Sequence, residues 1–309
     1  MLGEQIVECP YGLIAAARGA RPMRTAIVNA VNTVAIESAR DATDAGLIEP
    51  ILVGKYDDIR RAADAADWDI GVYEIIDADG EDAAAMAAAM TAGQGRAEAL
   101  MKGHLHTDSF MKAVLNKEAG LRMGQPLAHI AYLIVPGRNG SLILSDGALN
   151  PHPDIEQKKA IIRYTVDLAR ALGNPRPKVA LLSATEVVSP KIPSTGEAVE
   201  LARWAVDAVP EADVEGPLAF DLAVSPEAVR IKGIEGSRVA GQADILIVPE
   251  IVCGNALMKM MIRYMGACLG GVVLGAKVPI VLTSRADAPA ARLASVALAS
   301  ALRNAKAGV

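Results

Sequence analysis

The feature that most constrains this chain is a repeated alternation of short apolar runs with longer helical ones. Arg24-Thr-Ala-Ile-Val-Asn-Ala30 reads as a buried strand, and 32–47 as a helix ending at a glycine-containing turn. Pro50-Ile-Leu-Val-Gly54 is the next strand, 56–66 a charged helix, Tyr73-Glu-Ile-Ile-Asp77 a third strand and 82–92 an alanine-rich helix. Strands that alternate with helices in this way build a parallel sheet with helices outside it. Residues 96–116 read as helical, broken at Gly103-His-Leu-His106.

A second run begins near Pro126. Residues 129–135 and 141–145 are strand candidates around the turn Gly137-Arg-Asn-Gly140. Asp154 caps a helix over 155–172, which Gly173 and Pro175 end, and 178–183 is another buried strand. Ser194-Thr-Gly-Glu197 has capping-box spacing, with one apolar helical face at 198, 201, 202, 205 and 209 behind it. Residues 244–249 form a further strand, 255–269 a Met-rich helix, 279–283 the last strand and 288–306 a closing helix. Two α/β units with mostly parallel sheets, flanking helices and a cleft between them fit this order. Ligands of open sheets lie beyond the carboxyl ends of the strands.

Composition narrows the function classes. Hydrophobic residues make up 52% of the chain but aromatics only 3%, which suits close-packed helices over buried strands. A formal charge of −5 argues against a nucleic-acid partner, which calls for a basic face. Cys9, Cys253 and Cys268 have no Cys-x-x-Cys spacing, so a reduced, cytoplasmic setting is expected. The first residues lack the basic-then-apolar order of a signal peptide. The most apolar stretch, 264–284, is interrupted by Lys277 and Pro279, and a span needs about 20 apolar residues, so no membrane partner is expected.

No Gly-x-Gly-x-x-Gly follows a strand, and there is no Walker loop, Gly-x-Ser-x-Gly elbow or His-Glu-x-x-His. His104 and His106 have no accompanying set of metal ligands, so no metal is expected. What stands out is polar residues directly after apolar strands. These are Ser145-Asp146-Gly147, Ser183-Ala-Thr185-Glu186 with Lys191, Pro249-Glu250 leading to Gly254-Asn255, and Ser284-Arg285-Ala286-Asp287. Each alone reads equally as a turn or helix cap. Four together point to strand ends that converge on one cleft.

These segments bring out a resemblance. The chain resembles the phosphate acetyl/butyryl transferase family along nearly its whole length. The residues that carry it are Leu100-Met-Lys-Gly-His-Leu-His-Thr107, Ser183-Ala-Thr-Glu-Val-Val-Ser-Pro-Lys191 and Gly216-Pro-Leu-Ala-Phe-Asp221. Val239-Ala-Gly-Gln-Ala-Asp-Ile-Leu-Ile-Val-Pro249, Gly254-Asn255 and Gly275-Ala-Lys-Val-Pro-Ile-Val-Leu-Thr-Ser-Arg-Ala-Asp287 continue it. Lys-Gly-His-Leu-His-Thr and Ser-Arg-Ala-Asp look closer to the butyryl branch. The resemblance implies a two-domain α/β fold of the isocitrate/isopropylmalate dehydrogenase type, with 1–121 plus 273–309 as first domain and 122–272 inserted. It further implies a homodimer, reversible transfer of a short acyl group (acetyl to butyryl) between coenzyme A and phosphate, and a direct reaction without metal or covalent acyl-enzyme. Coenzyme A and phosphate enter as substrates, and no cofactor is held permanently.

Such a reaction must deprotonate a thiol, stabilise an oxyanion and hold phosphate. Arg285 at a strand end is the first choice for phosphate, because a guanidinium matches it bidentately. Ser284 donates to the thiol or the carbonyl oxygen, and the helix start near Ala288 adds its positive end. Alternatively, Ser284 and Asp287 cap that helix while Arg285 pairs with a carboxylate. Acetyl-branch relatives carry a catalytic aspartate seven residues after the serine, where this chain has Ala291. Asp287 is therefore the first choice of base, with another residue or water as alternatives.

Thr107, His106 and Lys112 are candidates for the phosphate or thiol region, together with Asp146, Ser183, Thr185 and Asn255. His106 alternatively bonds the backbone of a tight turn. Glu186 and Lys191 either pair with each other or face the cleft. Met258, Met260 and Met261 read as core before acyl pocket. Two rival functions on the same scaffold are a non-catalytic acyl-CoA or acyl-phosphate binder and a metal-dependent dehydrogenase. For the latter neither an aspartate cluster nor a nucleotide site is visible.

Overall fold

The computed structural model describes residues 9–137, 140–283 and 287–307. The chain divides into two compact units. The described residues of 7–127 and 270–309 make the first, and 128–269 the second.

In the first unit the elements run α1 (Tyr11–Ala17), β1 (Met23–Val28), α2 (Thr33–Asp44), β2 (Ile48–Gly54) and α3 (Tyr56–Ala65). They continue with β3 (Glu74–Asp77), α4 (Glu81–Gly93), β4 (Ala99–Lys102) and α5 (Thr107–Val114). The second unit holds β5 (Ala128–Ile134), β6 (Leu142–Ser145), α6 (Ile155–Ala171), β7 (Lys178–Leu182) and α7 (Pro193–Ala208). It closes with β8 (Asp213–Leu218), α8 (Phe220–Val224), α9 (Pro226–Lys232), β9 (Ile245–Ile247) and α10 (Ile251–Met265). The chain then returns through β10 (Cys268–Leu274), β11 (Ile280–Val281) and α11 (Pro289–Ala307).

Strand order in the first unit is β3-β2-β1-β4-β11-β10. β1 is parallel to both β2 and β4, β11 is parallel to β4, and only β10 runs antiparallel, against β11. Ile27, Leu52, Leu100 and Met101 are fully buried on these strands, as strands covered on both faces require. The chain lays β1, β2 and β3 outward in one direction, then returns to place β4 on the other side of β1. That reversal makes the carboxyl ends of β1 and β4 a topological switch point, where open α/β sheets bind ligands.

The expected helix over 96–116 is replaced by β4 and α5. Ala99-Leu-Met-Lys102 is made of good helix formers, but β1 on one side and β11 on the other supply its backbone partners, and all four residues are buried. Pairing on both edges overrides local propensity.

In the second unit the order is β5-β6-β9-β7-β8. β6, β9, β7 and β8 are mutually parallel, and β5 is antiparallel to β6. Asp154 caps α6 as expected, in a full capping box with Gln157. The expected box at Ser194–Glu197 does not form. α7 starts at Pro193, whose ring pre-sets the helical φ, and its N-cap Ile192 makes no side-chain bond. Ser194 bonds Ser183 instead, and Glu197 pairs with the buried Lys158 of α6.

β8 escaped the sequence reading because Gly216 and Pro217 sit inside it, and both weaken a strand signal. α10 starts four residues before the expected 255, because the Glu250 carboxylate accepts from the backbone N–H groups of Val252 and Cys253, both at 2.8 Å. It ends at Gly266 in the left-handed region, which frees Cys268 and Leu269 to begin β10. Met258 and Met261 are buried in the second unit's core, as expected, whereas Met260 is exposed. Among the described residues no helix is long and apolar enough to cross a membrane.

Candidate functional site

Two sets of strand ends carry the polar residues, one in each unit. In the first unit the loops after β1 and β4 are bolted together across the switch point. Gly103 N donates to Val28 O at 2.9 Å and His104 N to Asn29 O at 3.0 Å. In return, Asn29 Nδ2 donates to His104 O at 2.6 Å. Asn29 holds a left-handed φ of 55°, a conformation that asparagine tolerates better than most side chains. At Gly103 an added Cβ would lie 2.4 Å from Val28 O and 2.8 Å from Asn29 O, so only glycine permits this approach. Asn32 caps α2 and also contacts the His104 ring, with Nδ2 at 3.1 Å from Nδ1.

Lys102 ends β4 as a buried lysine, and Thr283, at the end of β11, donates from Oγ1 to Lys102 O at 3.5 Å. The carboxyl ends of three adjacent parallel strands thus gather Asn29, Asn32, Lys102, His104 and Thr283. Ser284 and Arg285 lie outside the described residues. Asp287 is half-buried just before α11, and its carbonyl accepts from Arg292 Nη1 at 2.5 Å. Ala291 sits in the first turn of α11.

Thr107 opens α5, with Lys112 in its last turn, and both are exposed. His106 precedes them as N-cap residue, and it bonds a side chain where the turn backbone was the expected alternative. Its backbone N–H and its Nδ1 both lie 3.0 Å from the Glu81 carboxylate at the start of α4. Ser109 Oγ donates to the same carboxylate at 3.3 Å. The His106 backbone N–H first, and its imidazole second, hold Glu81 below the usual glutamate range.

In the second unit Asp146, Ser183 and Glu250 follow the carboxyl ends of β6, β7 and β9. Asp146 is 1% exposed and its carboxylate is filled by its own surroundings. It accepts from the backbone N–H groups of His129, Ala148 and Leu149 and from Asn150 Nδ2, at 2.7–3.1 Å. Asn255 Nδ2 donates to Gly147 O at 3.0 Å, fixing this loop to α10. The contact is close: a Cβ on Gly254 would lie 2.6 Å from Asp146 O.

Ser183 Oγ and Ser194 Oγ are 2.8 Å apart. Thr185 accepts from Val187 N at 3.3 Å and donates to Glu186 Oε2 at 3.4 Å. Glu186 pairs with Lys232 at 3.0 Å, not with Lys191 across the Pro190 turn. Its own backbone N–H, and then Lys232, lower its pKa. Lys191 is exposed, with its backbone N–H on Ser189 Oγ at 3.3 Å.

The sequence reading named His106 and Thr107 but missed Asn29, Asn32 and the role of His104. The available signal was Asn-Ala-Val-Asn32 directly after a strand, the same logic that selected Ser145-Asp146. Among the described residues no group of three or more His, Cys, Asp or Glu side chains is placed to hold a metal ion.

Comparison with known proteins adds to this geometry. Residues 81–300 match the family described as "Phosphate acetyl/butaryl transferase". A phosphate acetyltransferase of Rhizobium meliloti is 45% identical over 289 residues, covering 93% of this chain and 91% of the relative. A phosphate butyryltransferase of Clostridium acetobutylicum is 37% identical over 278 residues, covering 90% and 92%. A crystal structure of a branched-chain phosphotransacylase from Enterococcus faecalis V583 superposes with a TM-score of 0.79 at 31% identity, covering 91% of this chain and 98% of that one.

Two measurements test the local geometry. Asp146→Asn places an NH2 group against N–H donors, so a loss of roughly 1–3 kcal/mol in urea unfolding is expected from the unsatisfied pairing. Wild-type stability would show that the charge is not needed there. The Glu81 carboxylate, followed by NMR, is expected to titrate below an exposed glutamate, and His106→Ala should move it back only partly, because the backbone donor remains. The sign follows from the lowered folded value. The contacts contribute stability above the unfolded glutamate range and lose it as pH falls through the Glu81 midpoint.

Proposed function

This chain belongs to the phosphate acetyl/butyryl transferase family and transfers an acyl group between coenzyme A and phosphate, and from that premise we propose how its residues divide the work. The observation that supports the division is the switch point of the first unit, where β11 lies next to β4 and β1 in strand order and Thr283 donates to Lys102 O; Ser284 and Arg285 are the next residues in sequence.

Taken in the acyl-CoA direction, the thiol of coenzyme A attacks the carbonyl carbon of the acyl phosphate. The S–C bond forms, the C–O bond to phosphate breaks, and phosphate leaves. Arg285 holds the phosphate, Ser284 donates a hydrogen bond to the thiol or carbonyl oxygen, and Asp287 takes the thiol proton. Thr107, His106 and Lys112 line the approach of the anionic substrates at the start and along the length of α5. Ser183, Thr185, Glu186 and Lys191 take the coenzyme, while Asp146 and Asn255 shape their loop.

Attack by the substrate's own thiol, without a covalent enzyme intermediate, fits the surroundings of Cys253 and Cys268. Burial, together with the Glu250 charge, raises the pKa of Cys253, and burial pushes Cys268 up to about 11. Neither is an activated thiolate at neutral pH.

Relatives of both acetyl and butyryl type match this chain, so the substrate range is proposed as short acyl groups from acetyl to butyryl. Free thiols favour a cytoplasmic setting, which cell fractionation checks: recovery outside the soluble cytoplasmic fraction overturns it.

A homodimer is proposed through the second unit. Met260 and Tyr264 are one helical turn apart on α10 and exposed, as is Phe220. Met260 and Phe220 also line an apolar cavity of about 610 Å³. Buried against a second copy, this face would be the apolar centre of an interface. Met260→Glu is expected to shift sedimentation from dimer to monomer, and a monomeric wild-type protein overturns the proposal.

The kinetic test follows thiol release from acetyl-, propionyl- and butyryl-CoA. Release is expected to require phosphate. Arg285→Ala should lose roughly 10²–10³-fold in kcat/KM, as removal of a transition-state donor does. Asp287→Asn should lower kcat roughly 10²–10⁴-fold and abolish the acid limb of the pH–rate profile. An unchanged profile at near-normal turnover would remove Asp287 as the base.

A further inference from the structure

We propose that Val187, Val188 and Lys191 form the subsite for the adenosine 3′-phosphate end of coenzyme A: the valines cover the adenine and the lysine meets the 3′-phosphate. The proposal rests on the reading above that the loop after β7 takes the coenzyme, and it names the part of the coenzyme that each residue recognises.

The loop is anchored along its length. Thr195 is fully buried in the first turn of α7. Its Oγ1 accepts from Ser189 N at 2.9 Å and donates to Ile192 O at 2.7 Å. Ile192 N donates to Ser189 O at 3.0 Å and closes the turn. At the other end Ser183 Oγ lies 2.8 Å from Ser194 Oγ, and Val187 N donates to Thr185 Oγ1 at 3.3 Å. Glu186 ties the middle of the loop to α9 through Lys232. Residues 183–192 are thus held by α7 and α9 at the carboxyl end of β7.

Held in this way, the loop presents two consecutive apolar side chains to solvent. Val187 is 62% exposed and Val188 57%. A single exposed apolar residue needs no explanation, but an adjacent pair on an anchored loop is apolar area that a ligand can remove from water.

Charge supplies the rest of the ligand's chemistry. Glu186 is neutralised by Lys232 at 3.0 Å. Lys191 is exposed, and among the described residues no carboxylate is paired with it. The loop therefore offers a positive charge in a chain whose formal charge is −5. A lysine ammonium is a compact point charge on a flexible stem, which suits a phosphate monoester at a solvated rim. Thr185 Oγ1 is engaged by Glu186 and Val187, and Glu186 by Lys232, so neither is left for proton transfer. Apolar contact beside one cation matches the adenosine end of the coenzyme, where a flat base adjoins a ribose that carries a phosphate monoester. The thiol end carries neither.

The test compares three butyryl thioesters on the full-length protein with phosphate in excess: those of coenzyme A, 3′-dephospho-coenzyme A and 4′-phosphopantetheine. Lys191→Gln is expected to lower kcat/KM for the coenzyme A thioester roughly 2- to 5-fold, the scale of one exposed ion pair, and to leave the other two near wild type. Added salt should remove that difference. Val187→Ala combined with Val188→Ala should lower kcat/KM roughly 10-fold for both adenosine-bearing thioesters and spare the 4′-phosphopantetheine thioester. Both valines are exposed, so the melting temperature should stay at the wild-type value.

An equal loss for all three thioesters, or no loss for any, overturns the proposal. A rise in KM for inorganic phosphate in Lys191→Gln assigns the cation to the transferred phosphate and also overturns it. So does a shift of the valine variant from dimer to monomer in sedimentation, which assigns the pair to an interface between copies. If the wild type shows no phosphate-dependent thiol release from any thioester, the acyltransferase reading has failed. Calorimetric binding of coenzyme A, 3′-dephospho-coenzyme A and 4′-phosphopantetheine then decides the subsite by the same comparisons.

Discussion

The reciprocal hydrogen bonds between Asn29 and His104, closed over Gly103, are the constraint on which the first unit's chemistry depends. Parallel strands put their carboxyl ends side by side, but the loops that leave them are held only by what those loops provide. Here the main chain after β4 is stitched to the main chain after β1, with Gly103 the residue that lets them touch. That clamp fixes the main chain at His104, while Asn32 meets its ring and Glu81 holds His106 at the start of α5. Asn32 serves two structures at once, since the atom that caps α2 is also what orients the amide toward the imidazole.

The second unit solves a related problem with different chemistry. Asp146 gathers backbone and side-chain N–H groups from its own loop and from β5, and Asn255 with Gly254 brings α10 against that loop. An anionic residue used in this way builds a shape more than a reactive group. Glu250 does the same for the start of α10, and Glu81 does it for the start of α5. In an acidic protein that handles anions, committing carboxylates to backbone donors keeps them from opposing the substrate.

Much of this was legible in the residues. Runs such as Ala26-Ile-Val28 and Ile51-Leu-Val53 announce buried strands because their apolar surface has no other economical fate, and Asp154 with Gln157 announces a helix start by spacing alone. The failures share a cause. β4 is written in helix formers and β8 contains Gly and Pro, so each depends on neighbours distant in sequence. The Ser194–Glu197 spacing looked like a cap, but Ser183 and Lys158 compete for those two side chains and win in the folded unit. Glu186 likewise found Lys232, forty-six positions away, in place of nearby Lys191.

What the sequence by itself determined is the alternation that makes a parallel α/β architecture, the family, and the segments in which polar residues follow strands. Those are properties of local pattern: hydrophobic period, turn chemistry and motif order act over a few residues and survive without knowledge of partners. What only the tertiary structure decided is which of those polar groups support the backbone and which are left to act. Asp146 and Glu81 turned out to be occupied by N–H donors, and His104 turned out to be tied to Asn29 and Asn32. Hydrogen bonds are directional and saturable, so a side chain's availability depends on every donor and acceptor the fold brings within about 3 Å, and sequence spacing does not encode that distance.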